Sequence, residues 1–256
     1  MKSLTLVSYN IHRCYGVDGQ YHPERIAQVL GELNADVIGL QEVDTTLHTA
    51  QRERRGTVRR HGADENGGMQ QLHFLAKQLN MHAVEGLLQH RHWGRYGNAL
   101  LSRFPTRSVR QIDLTVRGGY ERRGALDVEL DVEGEPLRVF VAHLGLQFWE
   151  RYFQMRRLVN VLGPDRTQRI VMMGDFNLWV SVLPRLRQFY GRLGHAPIVR
   201  TFPSRCPVLS LDRVWAQPSK ALQQVHASRT ALSAVASDHL PLVAQVAFSE
   251  TSKALS

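Results

Sequence analysis

Polar residues recur in this chain where apolar runs stop. Asn10 closes the run 4–9, Glu42 follows the run 36–40, His143 follows the run 137–141, and Asp175 follows the run 170–173. Asp238-His239 stands just ahead of the last apolar run, 242–248. Residues at the ends of neighbouring strands converge on one edge of a sheet, so side chains far apart in sequence can share a cleft. Glu42, Asp175 and Asp238 are carboxylates suited to a hard cation, and Asn10 and Asn177 offer a carbonyl oxygen to a metal or amide hydrogens to a phosphate. His143 and His239 can move a proton or donate to a phosphoryl oxygen. One or two carboxylates completed by substrate phosphate is the usual way Mg²⁺ is held, so this set predicts Mg²⁺, with Mn²⁺ as its substitute, working on a phosphoester. Zinc is disfavoured, because neither an HxxxH nor a thiolate spacing occurs.

The elements that must position these residues alternate along the chain. A helix is expected from Pro23, which suits a first helical turn, with Ile26, Val29, Leu30 and Leu33 on one face. Leu72, Leu75, Ala76 and Leu79 mark a second helix. Period-two alternation over 126–132 and 137–141, with Gly134 between, predicts a hairpin. Phe148, Tyr152, Met155, Val159 and Leu162 predict the buried face of a third helix, and Val182, Leu186, Phe189, Tyr190 and Leu193 that of a fourth. Strands are expected over 209–215, 222–225 and 242–248. Residues 44–68 read as one long irregular loop, with an arginine-rich run from Gln51 to Arg60. No linker or repeat divides the chain, so one domain over 1–248 and a polar tail over 249–256 are expected. The pattern suits sheets packed on each other with helices outside.

The net charge of +9, from 32 Lys+Arg against 23 Asp+Glu, favours polyanionic partners: nucleic acid, an anionic phospholipid surface or a phosphorylated small molecule. No run reaches the roughly 18–20 apolar residues of a membrane span, and no h-region with a cleavage site opens the chain. Two cysteines, Cys14 and Cys206, make neither a disulfide framework nor a zinc ribbon. A cytoplasmic monomer, able to sit peripherally at a membrane, is the expectation.

Seven segments occur in one order: Ser8-Tyr9-Asn10-Ile11-His12, Leu40-Gln41-Glu42-Val43, Gly97-Asn98-Ala99-Leu100-Leu101-Ser102, Ala142-His143-Leu144, Met173-Gly174-Asp175-Phe176-Asn177, Leu211-Asp212-Arg213 and Ser237-Asp238-His239-Leu240-Pro241-Leu242. The series, spanning 8–242, resembles the motifs of the endonuclease/exonuclease/phosphatase superfamily, which includes proteins similar to deoxyribonuclease I, exonuclease III and neutral sphingomyelinase. Arg122 to Leu126 (RRGAL) and Arg200 to Pro203 (RTFP) resemble most an uncharacterised bacterial subgroup encoded beside a cardiolipin synthase. The resemblance implies a deoxyribonuclease I-like α/β fold, a four-layer α/β/β/α sandwich of two packed mixed sheets.

The resemblance also implies roles. Glu42 would be the principal metal ligand, with Asn10 beside it and Asp238 supplying a second acidic contact. Asp175 would orient or deprotonate the attacking water, and Asn177 would hold the phosphate. Asp212 would fix the tautomer of His239, which would stabilise charge on phosphorus, while His143 would donate to phosphate or the leaving oxygen. His12, Arg95, Asn98 and Arg123 are expected around the substrate. His12 stands where exonuclease III-like members often carry an acidic residue, which weakens an abasic-site nuclease reading.

Blander readings exist for each: Asn10 as a turn residue, Asp175 to Asn177 as an Asx-turn, Asp212 and His239 as a structural pair. Cys14 is expected to be structural. The leading expectation is a metal-dependent phosphodiesterase. A nuclease would use the positive field along a groove. A phospholipid phosphodiesterase or phosphatase would need an apolar rim near Trp93, Tyr96, Phe148 or Trp149. A catalytically silent phosphate-binding module is the rival outside enzymes.

Overall fold

The computed structural model describes residues 3–44, 71–91, 94–119, 121–179 and 187–248, of which 87–91, 94–95 and 187–189 are described in backbone only. The 44–68 loop beyond Asp44, the polar tail, the Gln51 to Arg60 run and the pair His92-Trp93 lie outside the described residues.

In chain order the strands are β1 (Leu4–Asn10), β2 (Val37–Asp44), β3 (His82–Arg91), β4 (Gly94–Ser102), β5 (Thr106–Asp113), β6 (Gly124–Val132), β7 (Glu135–His143), β8 (Ile170–Asp175), β9 (Asp212–Gln217), β10 (Leu222–Ala227) and β11 (Leu242–Val246). They form two sheets, ordered β10-β11-β1-β2-β4-β3 and β5-β6-β7-β8-β9. Each contains one parallel pair: β1 with β2, and β7 with β8. Parallel neighbours need a crossover. Helix α1 (Pro23–Leu33) crosses between the first pair and α3 (Phe148–Leu162) between the second. Helices α2 (Gln71–Leu79), α4 (Arg187–Leu193) and the short α5 (Ser233–Ala236) complete the set.

Three apolar clusters fill three interlayer spaces. Between the sheets lie Leu6, Val37, Leu126, Val139, Val141, Val171 and Met173. Odd residues of β7 face this layer, while Phe140 and Ala142 turn to the other side with Leu158 and Met172, under α3. On the far side Val7 and Tyr9 pack with Ile26, Leu30, Leu72 and Leu75 of α1 and α2. Strands buried on both faces and helices buried on one make the α/β/β/α sandwich. The sheets approach closely at Gly39, where a Cβ would lie 2.9 Å from the Met173 and Val141 side chains. Among the described residues, no helix is long and apolar enough to cross a membrane.

Two expectations need correction. The strand expected over 209–215 begins only at Asp212 and runs to Gln217; Leu209 instead makes an isolated bridge to Phe202. The strands β3, β4 and β5 carry no clear apolar alternation, and β5 is exposed along almost its whole length as a sheet edge. The other concerns α3: Met155 and Leu162 are buried and Tyr152 and Val159 pack against the same cluster as expected, but Phe148 does not and the buried face is turned toward polar residues. It buries Glu150, Arg151, Gln154, Met155, Leu158 and Leu162, whereas Phe148, Trp149 and Phe153 face outward. The polar members of the buried face hold backbone. Gln154 Oε1 accepts from Gly145 N at 2.8 Å and its amide donates to the Leu114 carbonyl at 3.2 Å. Arg151 donates to the Gly145 and Leu146 carbonyls. Of the expected fourth helix, 187–193 is observed, and 180–186 lies outside the described residues.

Candidate active site

The two parallel pairs run their C-terminal ends to the same edge, and the register sets the site. Asn10 lies opposite Gln41, and Asp175 lies between His143 and Asp212 on its two neighbours. A cavity of about 490 Å³ opens there, lined by Asn10, Glu42, Arg123, His143, Asp175, Asn177 and His239 among others.

Local backbone irregularity aims several of these side chains. Between Leu40 and Val43 the pairing of β2 with β4 shifts by one residue, and Glu42 takes a φ of 59°. A bulge of this kind re-aims a side chain that a regular strand would direct elsewhere. Asn177 also has a positive φ, 50°. Gly174 has a φ of 150°, and a Cβ there would lie 1.9 Å from the Ala142 carbonyl oxygen, so only glycine fits directly before Asp175.

Asp175 is the hub. Its Oδ1 accepts the Asn177 N–H at 3.0 Å. Its Oδ2 lies 3.2 Å from Asn10 Nδ2, 3.6 Å from His143 Nε2 and 3.7 Å from His239 Nε2. Asn10 joins the sheets, because the same amide also donates to Glu42 Oε1 at 3.2 Å. The Asn10 side-chain oxygen accepts the His12 N–H, so in this arrangement the amide nitrogen, and not the carbonyl, faces the carboxylates. The Asn177 amide donates to the Leu144 carbonyl at 3.0 Å.

The two histidines are poised oppositely. Burial would lower His239, but Asp212 and Asp175 overcome this and raise its pKa to about 10. Its Nδ1 donates to Asp212 Oδ2 at 2.9 Å, and the Thr201 hydroxyl donates to the same oxygen. The Phe202 ring covers the imidazole, 5.0 Å between centroids. Burial, and then the Arg123 guanidinium, push His143 down to about 3. One guanidinium nitrogen of Arg123 lies 3.1 Å from both ring nitrogens, and the other holds Glu121 at 3.0 Å. The site therefore pairs an imidazolium with a neutral imidazole.

Asp175, Asp212 and His239 bring ligand-type atoms within 4.8 Å of one another. Within that cluster His239 Nδ1 and Asp212 Oδ2 are already paired with each other at 2.9 Å. Glu42, across the Asn10 amide from Asp175 and on the cavity wall, is a carboxylate that fits a hard cation.

Of the remaining expected residues, Asp238 is partly exposed, is not among those lining the cavity, and has its Oδ1 4.0 Å from His12 Nδ1. His12 likewise does not line it, its ring facing the Tyr15 carbonyl. Asn98 is buried and ties β4 to the second sheet, donating to the Gly124 carbonyl at 2.8 Å. The Arg95 side chain lies outside the described residues. Cys14 is buried with its thiol pushed up by desolvation. Sequence reasoning missed Arg13, Trp179 and Phe202, which all line the cavity. Their only signal was position, one or two residues beyond a motif residue or inside the RTFP segment.

The chain is 34% identical over 169 residues to the uncharacterized protein YbhP of Escherichia coli (strain K12), covering 60% of this chain and 63% of that one. The match thus spans somewhat less than two thirds of the relative's length. Among solved structures, a D. rerio TDP2 complexed with single-strand DNA product shares 15% identity, with 97% of this chain and all of that one covered and a TM-score of 0.67. The Bacteroides thetaiotaomicron mannosyl-6-phosphatase Bt3783 shares 17%, covers 96% and 100%, and has a TM-score of 0.68. These likenesses show the deoxyribonuclease I-like fold. Residues 7–239, with every motif that builds the cavity except the Leu240-Pro241-Leu242 end of the last, match the sequence profile of one family, and the chain belongs to it: the Endonuclease/Exonuclease/phosphatase family.

Proposed function

We propose that this protein is a divalent-metal-dependent phosphodiesterase that hydrolyses its substrate by in-line attack of water. The observation that carries the reading is the setting of Asp175. Its Oδ2 stands within 3.2–3.7 Å of an amide, a neutral imidazole and an imidazolium, on the wall of an open cavity. A carboxylate so placed takes a proton from a water held beside it, while the fixed donors receive the phosphoryl oxygens.

The roles follow from charge. The His239 imidazolium, oriented by Asp212 and Thr201, meets negative charge developing on phosphorus. Arg123 is a second fixed cation at the cavity wall. His143, neutral, keeps one N–H to donate and leaves the local charge to Arg123. Glu42, with Asn10 orienting it, would hold Mg²⁺ or Mn²⁺, which when bound polarises the phosphoryl group and favours ionised water. The family's solved neighbours, one complexed with a DNA product and one named as a sugar phosphatase, support phosphoester chemistry in general.

The test is turnover of a small aryl phosphodiester with and without Mg²⁺ or Mn²⁺. Metal-dependent hydrolysis lowered by about 10²–10⁴-fold in Asp175→Asn and in His239→Ala, with folding retained, is expected. If the aryl ester, DNA, RNA and phospholipids all remain intact with either metal, the protein is a phosphate-binding module instead.

A further inference from the structure

Helix α3 is inverted over its first two turns: Glu150, Arg151 and Gln154 lie inside, and Phe148, Trp149 and Phe153 lie outside. The inward polar groups are explained by the loops they hold; the outward aromatics are not. Trp149 and Phe153 are one turn apart on the solvent face. Two further apolar side chains, Leu146 and Trp179, line the cavity itself and are also turned to solvent. All five are between 40% and 60% exposed. Leu146 and Trp179 share the cavity wall, and the segments that carry them are tied: Leu144 N donates to the Asp175 carbonyl, and the Asn177 amide to the Leu144 carbonyl, while Leu146 leads directly into α3.

Cations border this surface. Arg156 and Arg157 are exposed on the next turn of α3, with Arg156 set against the Tyr152 ring at 5.7 Å. Exposed Arg117 and Arg122 come from the loop between β5 and β6, which packs on α3 through the Gln154–Leu114 hydrogen bond and the approach of Gly119 to Glu150.

An exposed aliphatic and aromatic face with arginines beside it is the pattern of a surface that enters the interface of an anionic bilayer. Nucleic acid would use the cations and stack bases on the aromatic rings, but would leave the aliphatic Leu146 without a partner. We infer that this face docks on anionic phospholipid membranes and sets the mouth of the cavity against headgroup phosphates. The docking stands on the surface alone; that a headgroup phosphoester is the substrate rests on the proposed function.

Vesicle cosedimentation tests it, with the protein in EDTA and phosphatidylcholine vesicles with or without phosphatidylglycerol. Wild-type protein is expected to pellet with the anionic vesicles. The Trp149→Ala/Phe153→Ala variant should partition at least about tenfold less. Arg156→Gln/Arg157→Gln should lose most of the response to phosphatidylglycerol. Thermal melts of both variants should match wild type, as should their rates on a soluble aryl phosphodiester. Wild-type protein that stays in the supernatant, or an aromatic variant that pellets as well as wild type, overturns the inference. So does a variant that keeps vesicle binding and loses binding to single-stranded DNA. Because no turnover is read in EDTA, a failure of the hydrolase reading leaves this result unaffected, and the reverse also holds.

Discussion

His239 Nδ1 lies 2.9 Å from Asp212 Oδ2, with both side chains buried, and the other ring nitrogen faces Asp175. Two carboxylates around one buried imidazole outweigh its desolvation, so the ring is held as a cation where an isolated buried histidine would be neutral. The folded-state value is raised, to about 10. The imidazolium is therefore present throughout neutral pH and is lost only as pH rises through that value. Turnover should show no descending limb near about 6.5, the ordinary histidine value. Asp212→Asn should bring the alkaline limb down toward that region. A pH–rate profile of both proteins checks this, and an unmoved limb in the variant means that His239 is not the group titrating.

Thr201 acts one bond further out. Its buried hydroxyl shares Asp212 Oδ2 with His239, while Asp212 Oδ1 has no hydrogen-bond partner among the described residues. Thr201→Val keeps the volume and removes the donor. We expect a stability loss of about 1–3 kcal/mol, the usual effect of an unsatisfied buried group. We also expect a fall in kcat with KM retained and a small shift of the alkaline limb. Equal rates and limbs in both proteins would leave Thr201 with a packing role only.

Arg123 and His143 provide a test of opposite sign. Burial leads, and Arg123 follows, in holding the His143 pKa at about 3, so the ring stays neutral until strongly acid pH. In Arg123→Gln the Asp175 contact is no longer opposed by a neighbouring guanidinium, and the His143 midpoint should rise. Histidine ring proton NMR across the acid range reads it directly. The same variant should lose about 10²–10³-fold in turnover if the guanidinium meets the phosphoryl group.

Gly174→Ala should be among the most damaging single changes in the chain. The added methyl meets the Ala142 carbonyl at 1.9 Å, on a backbone φ that side chains avoid. A loss on the order of 3 kcal/mol or more is expected from urea melts. A variant within about 0.5 kcal/mol of wild type, the range of ordinary surface changes, would show that β8 can shift without breaking the sandwich.

Much of the site was legible because hydrophobic runs end abruptly. Asn10, Glu42, His143 and Asp175 stand out as polar stops after buried strands, and parallel pairing of two such strands in each sheet brings the stops to one edge. What escaped has physical causes. β5 is an edge strand exposed along most of its length, so it lacks the alternation that marks a half-buried one. The aim of Glu42 depends on a bulge, which adds a residue without leaving a compositional trace. The outward turn of Phe148 on α3 escaped because Glu150, Arg151 and Gln154 are buried to hold loops, and periodicity assumes that polar residues face water. Trp179 and Phe202 were missed because an aromatic beside a motif looks like any core residue until its exposure or its neighbour is seen.

The Asn10 amide is a joint between the layers. It belongs to one sheet, yet it donates both to Glu42 in that sheet and to Asp175 in the other. The reacting groups thus have no separate scaffold: once the sheets part, the carboxylates part with them. Gradual urea titration should extinguish catalysis and far-UV circular dichroism at the same midpoint, with no inactive folded species between. A catalyst divided between two sheets in this way has its working temperature set by the cohesion of the sandwich itself.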